Sequence, residues 1–230
     1  MNPLKISMRQ TLSLGVIAFT LLVNDESHAA LYVWNGDSVT PNSGIDPNLS
    51  VSSIAGYGGS SFAFNSTSSP VSPNGGVQFL INNVPSGALN SSSAYFELTI
   101  TPSLNYAVQL NSLSFYSRSS GTGPTLVSLY SSIDGFSSLL HDQTVIADAN
   151  TWTTVSYVPS TSLIGTVDSS VTFRIFASNG SGSGSWRFDG VSLDVSPVPE
   201  PTNVALGIFG GIAGIGGLVR WRLNQKLLQV

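Results

Sequence analysis

Short runs in which apolar and polar residues alternate fill the middle of the chain, and they constrain its fold more than any other feature. The runs at 95–101 (YFELTIT) and 171–177 (VTFRIFA) have apolar residues at every second position. This period is that of a β-strand with one buried face. Clusters of Gly, Ser and Pro separate the runs, and no long helical period occurs between residues 31 and 197. The pattern predicts an all-β fold.

Four further runs belong to the same pattern, at 108–117, 125–131, 152–158 and 186–195. In the first of them the buried parity slips at Asn111 and Ser112, which predicts a bulge or a tight turn. Short strands with frequent turn signals favour a single β-sandwich or jelly-roll domain, which we place at residues 30–197. No convincing tandem repeat occurs in the sequence, so a solenoid or a propeller is disfavoured.

Charge is scarce in this domain and mostly negative. Charged residues make up 9% of the 230-residue chain, against roughly 25% in ordinary soluble proteins. Residues 30–197 contain three arginines, nine acidic residues and no lysine, which gives a net charge of −6. The sequence has no basic patch that could neutralise phosphates, so nucleic-acid binding is disfavoured. The chain contains no cysteine, which excludes disulfides, thiolate metal sites and cysteine nucleophiles.

The first 29 residues have the parts of a secretory signal peptide. Lys5 and Arg9 form a positive start. The apolar run at 11–23 (TLSLGVIAFTLLV) has the length of a signal-peptide helix and is short for a membrane span. Small residues at Ser27 and Ala29 predict that signal peptidase cleaves after Ala29, once the Sec translocon has exported the chain. An uncleaved N-terminal anchor is the alternative.

The C-terminal segment, residues 198–222, combines a rigid motif, an apolar run and a basic cluster. Two prolines fix φ on either side of a carboxylate in the VPEP motif at 198–201. The uncharged run at about 204–219 predicts a transmembrane helix, and the basic residues after it orient the domain to the outside of the inner membrane. The motif residues are Val198, Pro199, Glu200 and Pro201, and the basic residues at 220–226 are Arg220, Arg222 and Lys226.

This order of segments at the chain end resembles the PEP-CTERM sorting signal of Gram-negative and related bacteria. The resemblance covers residues 198–222. It implies that an exosortase recognises Pro199, Glu200 and Pro201 and processes the chain near them. It also implies a membrane-anchored precursor whose domain reaches the cell surface or the extracellular matrix. A single-pass anchor with a proline-rich stalk is the alternative.

The domain has a family resemblance of its own. Four segments carry it, at 95–102 (YFELTITP), 117–124 (SRSSGTGP), 131–136 (SSIDGF) and 186–193 (WRFDGVSL). They resemble β-sandwich ectodomains that are common among PEP-CTERM proteins and similar to galactose-binding-like domains and carbohydrate-binding modules. The resemblance implies a β-sandwich but identifies no ligand, because one fold hosts many functions.

Catalytic candidates are few, and we assign no catalytic residue. His141 is the only histidine left after signal removal, and no G-x-S-x-G motif accompanies it, so we expect a surface loop residue. Glu97 and Asp189 are the carboxylates most suited to glycoside hydrolysis. However, the alternation places Glu97 on the polar face of its strand, where a carboxylate is ordinary. The sequence therefore favours a non-enzymatic protein.

Sugar binding and calcium binding are the two site hypotheses for the domain. Exposed aromatic rings stack on sugars, and arginines orient hydroxyl groups. The ligand residues predicted on this basis are Trp186, Arg187 and Trp152, with Trp34, Tyr57, Tyr116 and Arg174 as further candidates. Aspartates near the first and last strands suit a structural calcium ion. The calcium ligands predicted are Asp189, Asp194 and Asp37, with Asp46 as a fourth candidate. No other cofactor is expected.

Three functions follow from these patterns. The first is a surface-sorted, non-enzymatic structural or adhesive protein of the cell envelope and the extracellular polysaccharide. The second is a carbohydrate-binding module with a specific glycan ligand. The third, least favoured, is a glycoside hydrolase.

Overall fold

The alternating runs form antiparallel strands whose apolar faces meet in one core. The computed structural model describes residues 28–200 except Ile45, together with 212–214, Gly216, Gly217, Arg220 and Trp221. Residues His28–Val198 form one compact unit, and the other described residues belong to a second. The strands are β1 (Ala30–Trp34), β2 (Leu49–Val51), β3 (Ala55–Tyr57), β4 (Ser61–Ser72), β5 (Gly75–Val84), β6 (Ala94–Pro102), β7 (Tyr106–Ser119), β8 (Leu126–Ser131), β9 (His141–Thr144), β10 (Thr153–Tyr157), β11 (Leu163–Ile164), β12 (Val171–Ser178) and β13 (Gly184–Pro199).

The strands lie in two sheets that pack face to face. The first sheet has the order β10-β7-β13-β5-β4, with β1 also pairing with β13 and β11 with β7. The second has the order β2-β6-β12-β8-β9, with β3 also pairing with β6. Phe96 of the second sheet has its ring centroid 4.5 Å from that of Phe188 and 4.6 Å from that of Trp186, both in the first sheet. The prediction of an all-β sandwich is therefore confirmed.

The two runs with the strictest alternation form β6 and β12, which pair with each other within the second sheet. Apolar residues at alternate positions of both strands are buried in the core. The register pairs Glu97 with Arg174 and Tyr95 with Phe176. These four side chains therefore stand side by side on the outer face of the second sheet, away from the core.

The predicted parity slip at Asn111 and Ser112 is present inside β7, which continues through it. Leu110 and Leu113 are both buried, although strict alternation would put residues three positions apart on opposite faces, and the two residues between them are half-buried. Two short strands pair with the two halves of β7, β11 at Leu110 and β10 from Leu113 onward. The slip thus lets one long strand keep an apolar face toward the core along its whole length.

A second parity slip lies in β13. Trp186 and Phe188 are buried at even positions, whereas Val191 and Leu193 are buried at odd ones. Gly190 has a φ of 58° at the point of change, a left-handed conformation that glycine adopts without steric cost. The first half of β13 pairs with β5 and the second half with β1. The alternation within 186–195 does not by itself show that one strand pairs with two different strands along its length.

The C-terminal end of the domain differs from the prediction. The predicted boundary between residues 197 and 198 falls inside β13, which runs to Pro199. The buried alternation continues through Val195 and Pro197, so the strand extends into the VPEP motif. Val198 and Pro199 therefore end a strand, while Glu200 follows it.

The predicted terminal segments lie mostly outside the described residues. Within 204–219 the described positions 212–214, Gly216 and Gly217 are helical, as are Arg220 and Trp221. In the described part of the chain, no helix has both the length and the apolar character needed to cross a membrane. The signal peptide, most of the transmembrane segment, Pro201, Arg222 and Lys226 are not described, so those assignments stay predictions.

Candidate functional site

Trp186 is a core residue, which overturns its predicted role as a sugar-stacking ring. Its side chain is 0% exposed and packs against Phe96 and Phe188. The indole Nε1 donates a hydrogen bond to Ser117 Oγ at 2.9 Å. Trp34 is fully buried as well. A ligand in solution therefore cannot stack on either indole.

Arg187 and Trp152, the other two predicted ligand residues, lie on the outer face of the first sheet. Arg187 is half-buried and donates from Nη1 to Ser185 Oγ at 2.8 Å. Arg118 packs over the Trp152 ring, with Cζ 5.0 Å from its centroid, and donates from Nη1 to Pro70 O at 2.9 Å. Burial lowers the pKa of Arg118, and the nearby charge of Arg187 lowers it further. These groups hold the end of β4 against the sheet, which is a structural role.

The aspartates predicted to bind calcium do not come together in the fold. Asp189 is fully buried and bound to Ser72, the Asp37 carboxylate accepts from Asn42 Nδ2 at 3.1 Å, and Asp194 Oδ1 accepts a hydrogen bond from Asn111 Nδ2 at 3.0 Å. Asp46 instead caps a turn by accepting from the Asn48 backbone N–H at 2.7 Å. Among the described residues, no group of three or more Asp, Glu or His side chains is placed to hold a metal ion. The three aspartates therefore do not form the predicted calcium site.

Asp189 is instead a buried acid that fastens β4 to β13. Its Oδ2 accepts a hydrogen bond from Ser72 Oγ at the end of β4. Its Oδ1 has no hydrogen-bond partner among the described residues. Burial raises the pKa of Asp189 to about 6; hydrogen bonds from Ser72 and the Gly190 backbone lower it, and the charge of Asp37 raises it. The carboxyl group therefore keeps its proton at mildly acidic pH.

His141 is not the surface loop residue that the sequence predicts. It begins β9, where it pairs with the buried Leu129, and it is half-buried. Its ring lies 5.6 Å from the ring of Tyr157, at the edge of the core. The buried Nε2 has no hydrogen-bond partner within the described residues. This position fits a packing role and shows no triad geometry.

The outer face of the second sheet carries a row of aromatic rings that runs across the strands. Tyr57, Tyr95 and Phe176 are neighbours in register on β3, β6 and β12. The ring centroids of Tyr57 and Tyr95 are 4.9 Å apart, and so are those of Tyr95 and Phe176. Tyr130 of β8 meets Phe176 edge-on at 5.6 Å. We call these four residues the aromatic row.

Arg174 lies beside the aromatic row and is held on three sides. Its Nε donates to Glu97 Oε2 at 2.8 Å. Its Cζ is 5.0 Å from the Tyr95 ring centroid and 4.0 Å from that of Phe136. The described residues give Nη1 and Nη2 no hydrogen-bond partner, and the side chain is 32% exposed. A fixed guanidinium edge is therefore available to a ligand at this point.

Phe136 reaches this face because the chain turns sharply after β8. A single 3-10 turn, Ser132–Asp134, is followed by Gly135 in the left-handed conformation. Phe136 also has a positive φ of 61° and donates its backbone N–H to Ser131 O at 2.9 Å. Two successive left-handed residues redirect the chain; Gly135 adopts this conformation without steric cost, whereas it is unfavourable for Phe136.

Hydroxyl groups continue the face on the other side of the Arg174–Glu97 pair. Thr99 and Thr172 are hydrogen-bonded to each other through their hydroxyls at 2.9 Å. Thr101 and Ser170 are joined in the same way at 2.8 Å. The face thus changes from aromatic rings, through one ion pair, to hydroxyls. Such a surface offers rings for stacking together with donors and acceptors for hydroxyl groups.

The sequence indicated part of this site. Tyr57 and Arg174 are among the further sugar-binding candidates, and Glu97 lies on the predicted polar face of its strand. The aromatic residues that sequence reasoning missed are Tyr95, Tyr130, Phe136 and Phe176. The available signal was an aromatic residue at an outward position of β6 and β12, where alternation predicts a polar one.

No protein-family model matches the chain, and no curated protein matches it. Similar solved structures include a family 29 carbohydrate-binding module, 11% identical with a TM-score of 0.37, covering 75% of this chain and 91% of that one. An arabinose-bound α-L-arabinofuranosidase is 14% identical with a TM-score of 0.40, covering 73% of this chain. This chain corresponds to only 26% of that enzyme.

A third similar structure is the K1 cleaved adhesin domain of Lys-gingipain from Porphyromonas gingivalis W83. It is 12% identical with a TM-score of 0.34, covering 71% of this chain and 96% of that domain. With TM-scores below 0.5, these similarities carry no argument about a family or a ligand. The description of the site depends on its own geometry.

Proposed function

We propose that this chain is an exported, non-enzymatic protein whose sandwich domain binds a glycan on the outer face of the second sheet. The observation that carries the proposal is the aromatic row beside the fixed Arg174–Glu97 pair. Sugar rings have apolar C–H faces and polar rims. Stacked rings next to a guanidinium, a carboxylate and hydroxyls match both parts.

Tyr57 is the platform of this site. Its side chain is 44% exposed, and one face of its ring lies against Tyr95. The other face is left for a ligand. Because Tyr95 in turn packs on Phe176, the ring is ordered before binding, and little side-chain entropy is lost when a sugar stacks on it.

Binding rather than hydrolysis fits the surroundings of Glu97. Glycoside hydrolysis needs two carboxyl groups on either side of the scissile bond. The partner of Glu97 is Arg174 at 2.8 Å, which makes the carboxylate part of an ion pair. The proposal therefore keeps the non-enzymatic assignment and takes the glycan-binding alternative as the activity.

Tyr57→Ala tests this site. We expect the variant to bind glycan about tenfold or more weakly, because it removes the exposed stacking surface. A tenfold weaker affinity corresponds to a loss of about 1.4 kcal/mol of binding free energy. The measurement is a glycan array followed by titration of the best glycan with the full chain. Phe64→Ala is the matched control, since Phe64 is a 49% exposed ring on β4 of the first sheet.

Equal binding by wild type and Tyr57→Ala would contradict this site. An array with no reproducible binding by the wild type would instead favour the second candidate, a structural protein of the extracellular polysaccharide without a defined ligand. The composition supports that candidate, because a chain with 9% charged residues and many serines is compatible with a hydrated matrix.

The proposal includes delivery by the two chain ends, through the Sec translocon, signal peptidase and an exosortase. Support comes from the order of the segments in the sequence and from the place of the first strand. Ala30 begins β1 and pairs with Val195, so cleavage after Ala29 leaves the whole strand in the mature chain. Val198 and Pro199 of the VPEP motif end the last described strand and Glu200 follows it, so processing after Pro199 would leave the sandwich intact.

Glu200→Ala tests the sorting motif. We expect a longer, membrane-bound form to accumulate, because the motif has lost its charged group. N-terminal sequencing should still begin at Ala30, because signal cleavage is not affected. The measurement is immunoblotting of cell fractions with N-terminal sequencing. Asp142→Ala, which removes an exposed carboxylate of β9, is the control and should be processed normally. Unchanged size and location of Glu200→Ala would contradict exosortase recognition, and an intact Met1 would contradict signal cleavage.

A further inference from the structure

We propose that Glu97 makes the binding face selective for uncharged glycans by occupying Arg174, and that it is the specificity-determining residue of the site. This inference rests on the proposed function. Its basis is the ion pair between Glu97 Oε2 and Arg174 Nε at 2.8 Å, next to the aromatic row. The pair leaves the centre of the face electrically neutral.

Among the arginines of residues 30–197, Arg174 is the one on this face. Residues 30–197 contain two other arginines, and both belong to strands of the first sheet, Arg118 to β7 and Arg187 to β13. A guanidinium fixed by Tyr95 and Phe136 is well suited to bind a carboxylate in a bidentate manner. Without Glu97, the face would therefore have the features of a site for acidic sugars.

Glu97 changes this outcome in two ways. It takes the Nε donor of Arg174, and its own charge repels a ligand carboxylate that approaches Nη1 and Nη2. The domain as a whole adds to the repulsion, because residues 30–197 carry a net charge of −6. A neutral glycan meets none of this repulsion and can still accept hydrogen bonds from the guanidinium edge.

Glu97→Gln separates the charge of this residue from its shape. The probes are uncharged hexasaccharides, cellohexaose and mannohexaose, and an anionic one of equal length, hexagalacturonate. Each is titrated into the full chain in an uncharged polyoxyethylene detergent, at low salt and at high salt. We expect the wild type to bind the better neutral probe at least about tenfold more tightly than the anionic one.

In Glu97→Gln, we expect affinity for hexagalacturonate to rise by about tenfold or more at low salt and the gain to shrink at high salt. The preference for the neutral probe over hexagalacturonate should therefore fall by about tenfold or more at low salt. Asp194→Asn is the matched control: it removes the same charge from the first sheet and should leave both affinities unchanged. The double variant Glu97→Gln/Arg174→Gln should lose the gain, because Arg174 supplies it.

Two results would overturn the inference. One is a wild type that binds hexagalacturonate as tightly as the neutral probes. The other is a Glu97→Gln variant whose preference stays within about twofold of the wild type while its thermal melt is unchanged. In both cases the proposed function stands if Tyr57→Ala loses binding. If the wild type binds no glycan, the proposed function fails, and the inference fails with it.

Discussion

Trp186→Ala is expected to destabilise the domain by about 3–5 kcal/mol, the range typical of deleting a large aromatic side chain from a core. Trp186 is 0% exposed and packs between Phe96 of the opposite sheet and Phe188 of its own strand. The change leaves a cavity and also leaves the buried Ser117 hydroxyl without its indole partner. Since domains of this size have a total stability of roughly 5–15 kcal/mol, a large part would be lost.

Chemical denaturation measures this effect, as a lower midpoint at unchanged slope. Trp221→Ala is the control, because Trp221 is 59% exposed and lies in the second unit, so the midpoint should not move. A midpoint for Trp186→Ala within error of the wild type would contradict the burial of this ring. The result also affects binding assays: lost binding in Trp186→Ala reports unfolding, whereas lost binding in Tyr57→Ala reports the site.

Stability is expected to fall as pH rises through about 6, because of Asp189. Burial raises the folded-state pKa of this acid to about 6, from an ordinary value of 3.8. The folded chain therefore holds its proton where the unfolded chain has released it, so the free energy of unfolding decreases with rising pH. The stability is fully present below pH 3.8 and is lost as pH rises through about 6. The loss in the free energy of unfolding between these two pH values amounts to about 3 kcal/mol, at about 1.36 kcal/mol per unit of pKa.

Asp189→Asn isolates this contribution, since an amide cannot ionise and can still bond Ser72. We expect the variant to be more stable than the wild type by about 2–3 kcal/mol at pH 8, and equal to it near pH 4. Denaturation curves at a series of pH values give the difference. Asp194→Asn, a change of the same kind on the same strand, is the control for the substitution itself. A difference between Asp189→Asn and wild type that stays constant with pH would contradict a buried, protonated Asp189.

Strands β6 and β12 of the second sheet could be predicted because their side chains alternate strictly. In β6 and β12 every second residue is apolar and buried, so the period is visible in the sequence. The slip in β7 could be predicted for the same reason, since Leu110 and Leu113 keep their apolar character on either side of it. In both cases burial of side chains determines the pattern.

The β4–β5 hairpin could not be predicted in this way. β4 (SFAFNSTSSPVS) contains many small polar residues, and it pairs with β5 through backbone hydrogen bonds with two register shifts. Backbone pairing leaves no periodic signal in the side chains. The parity slip in β13 could not be predicted either. The first half of this strand pairs with β5 and the second half with β1, and the order of strands in the sheet, not the local sequence, determines these pairings.

The sequence could not predict which residues of the candidate site lie together, for the same reason. Alternation shows that Glu97 and Arg174 point away from the core, but it does not show that their strands are adjacent to each other or to the strand of Tyr57. Their positions in the chain are far apart, and they meet only because β3 and β12 both pair with β6. For Trp186 the prediction was wrong in the opposite direction. Its residue type suggested a ligand site, whereas its position in β13 places it in the core.

The position of β13 in the first sheet has a consequence for the time at which the domain can fold. Among the described strands β13 comes last in the chain, yet it lies between β7 and β5 and also pairs with β1. A chain that leaves the ribosome from its N-terminus therefore cannot complete the first sheet until residues 184–199 have emerged. The pairing of Ala30 with Val195 joins the two ends of the domain. Completion of the first sheet is thus a late step of folding, whereas the strands of the second sheet are all synthesised by Ser178.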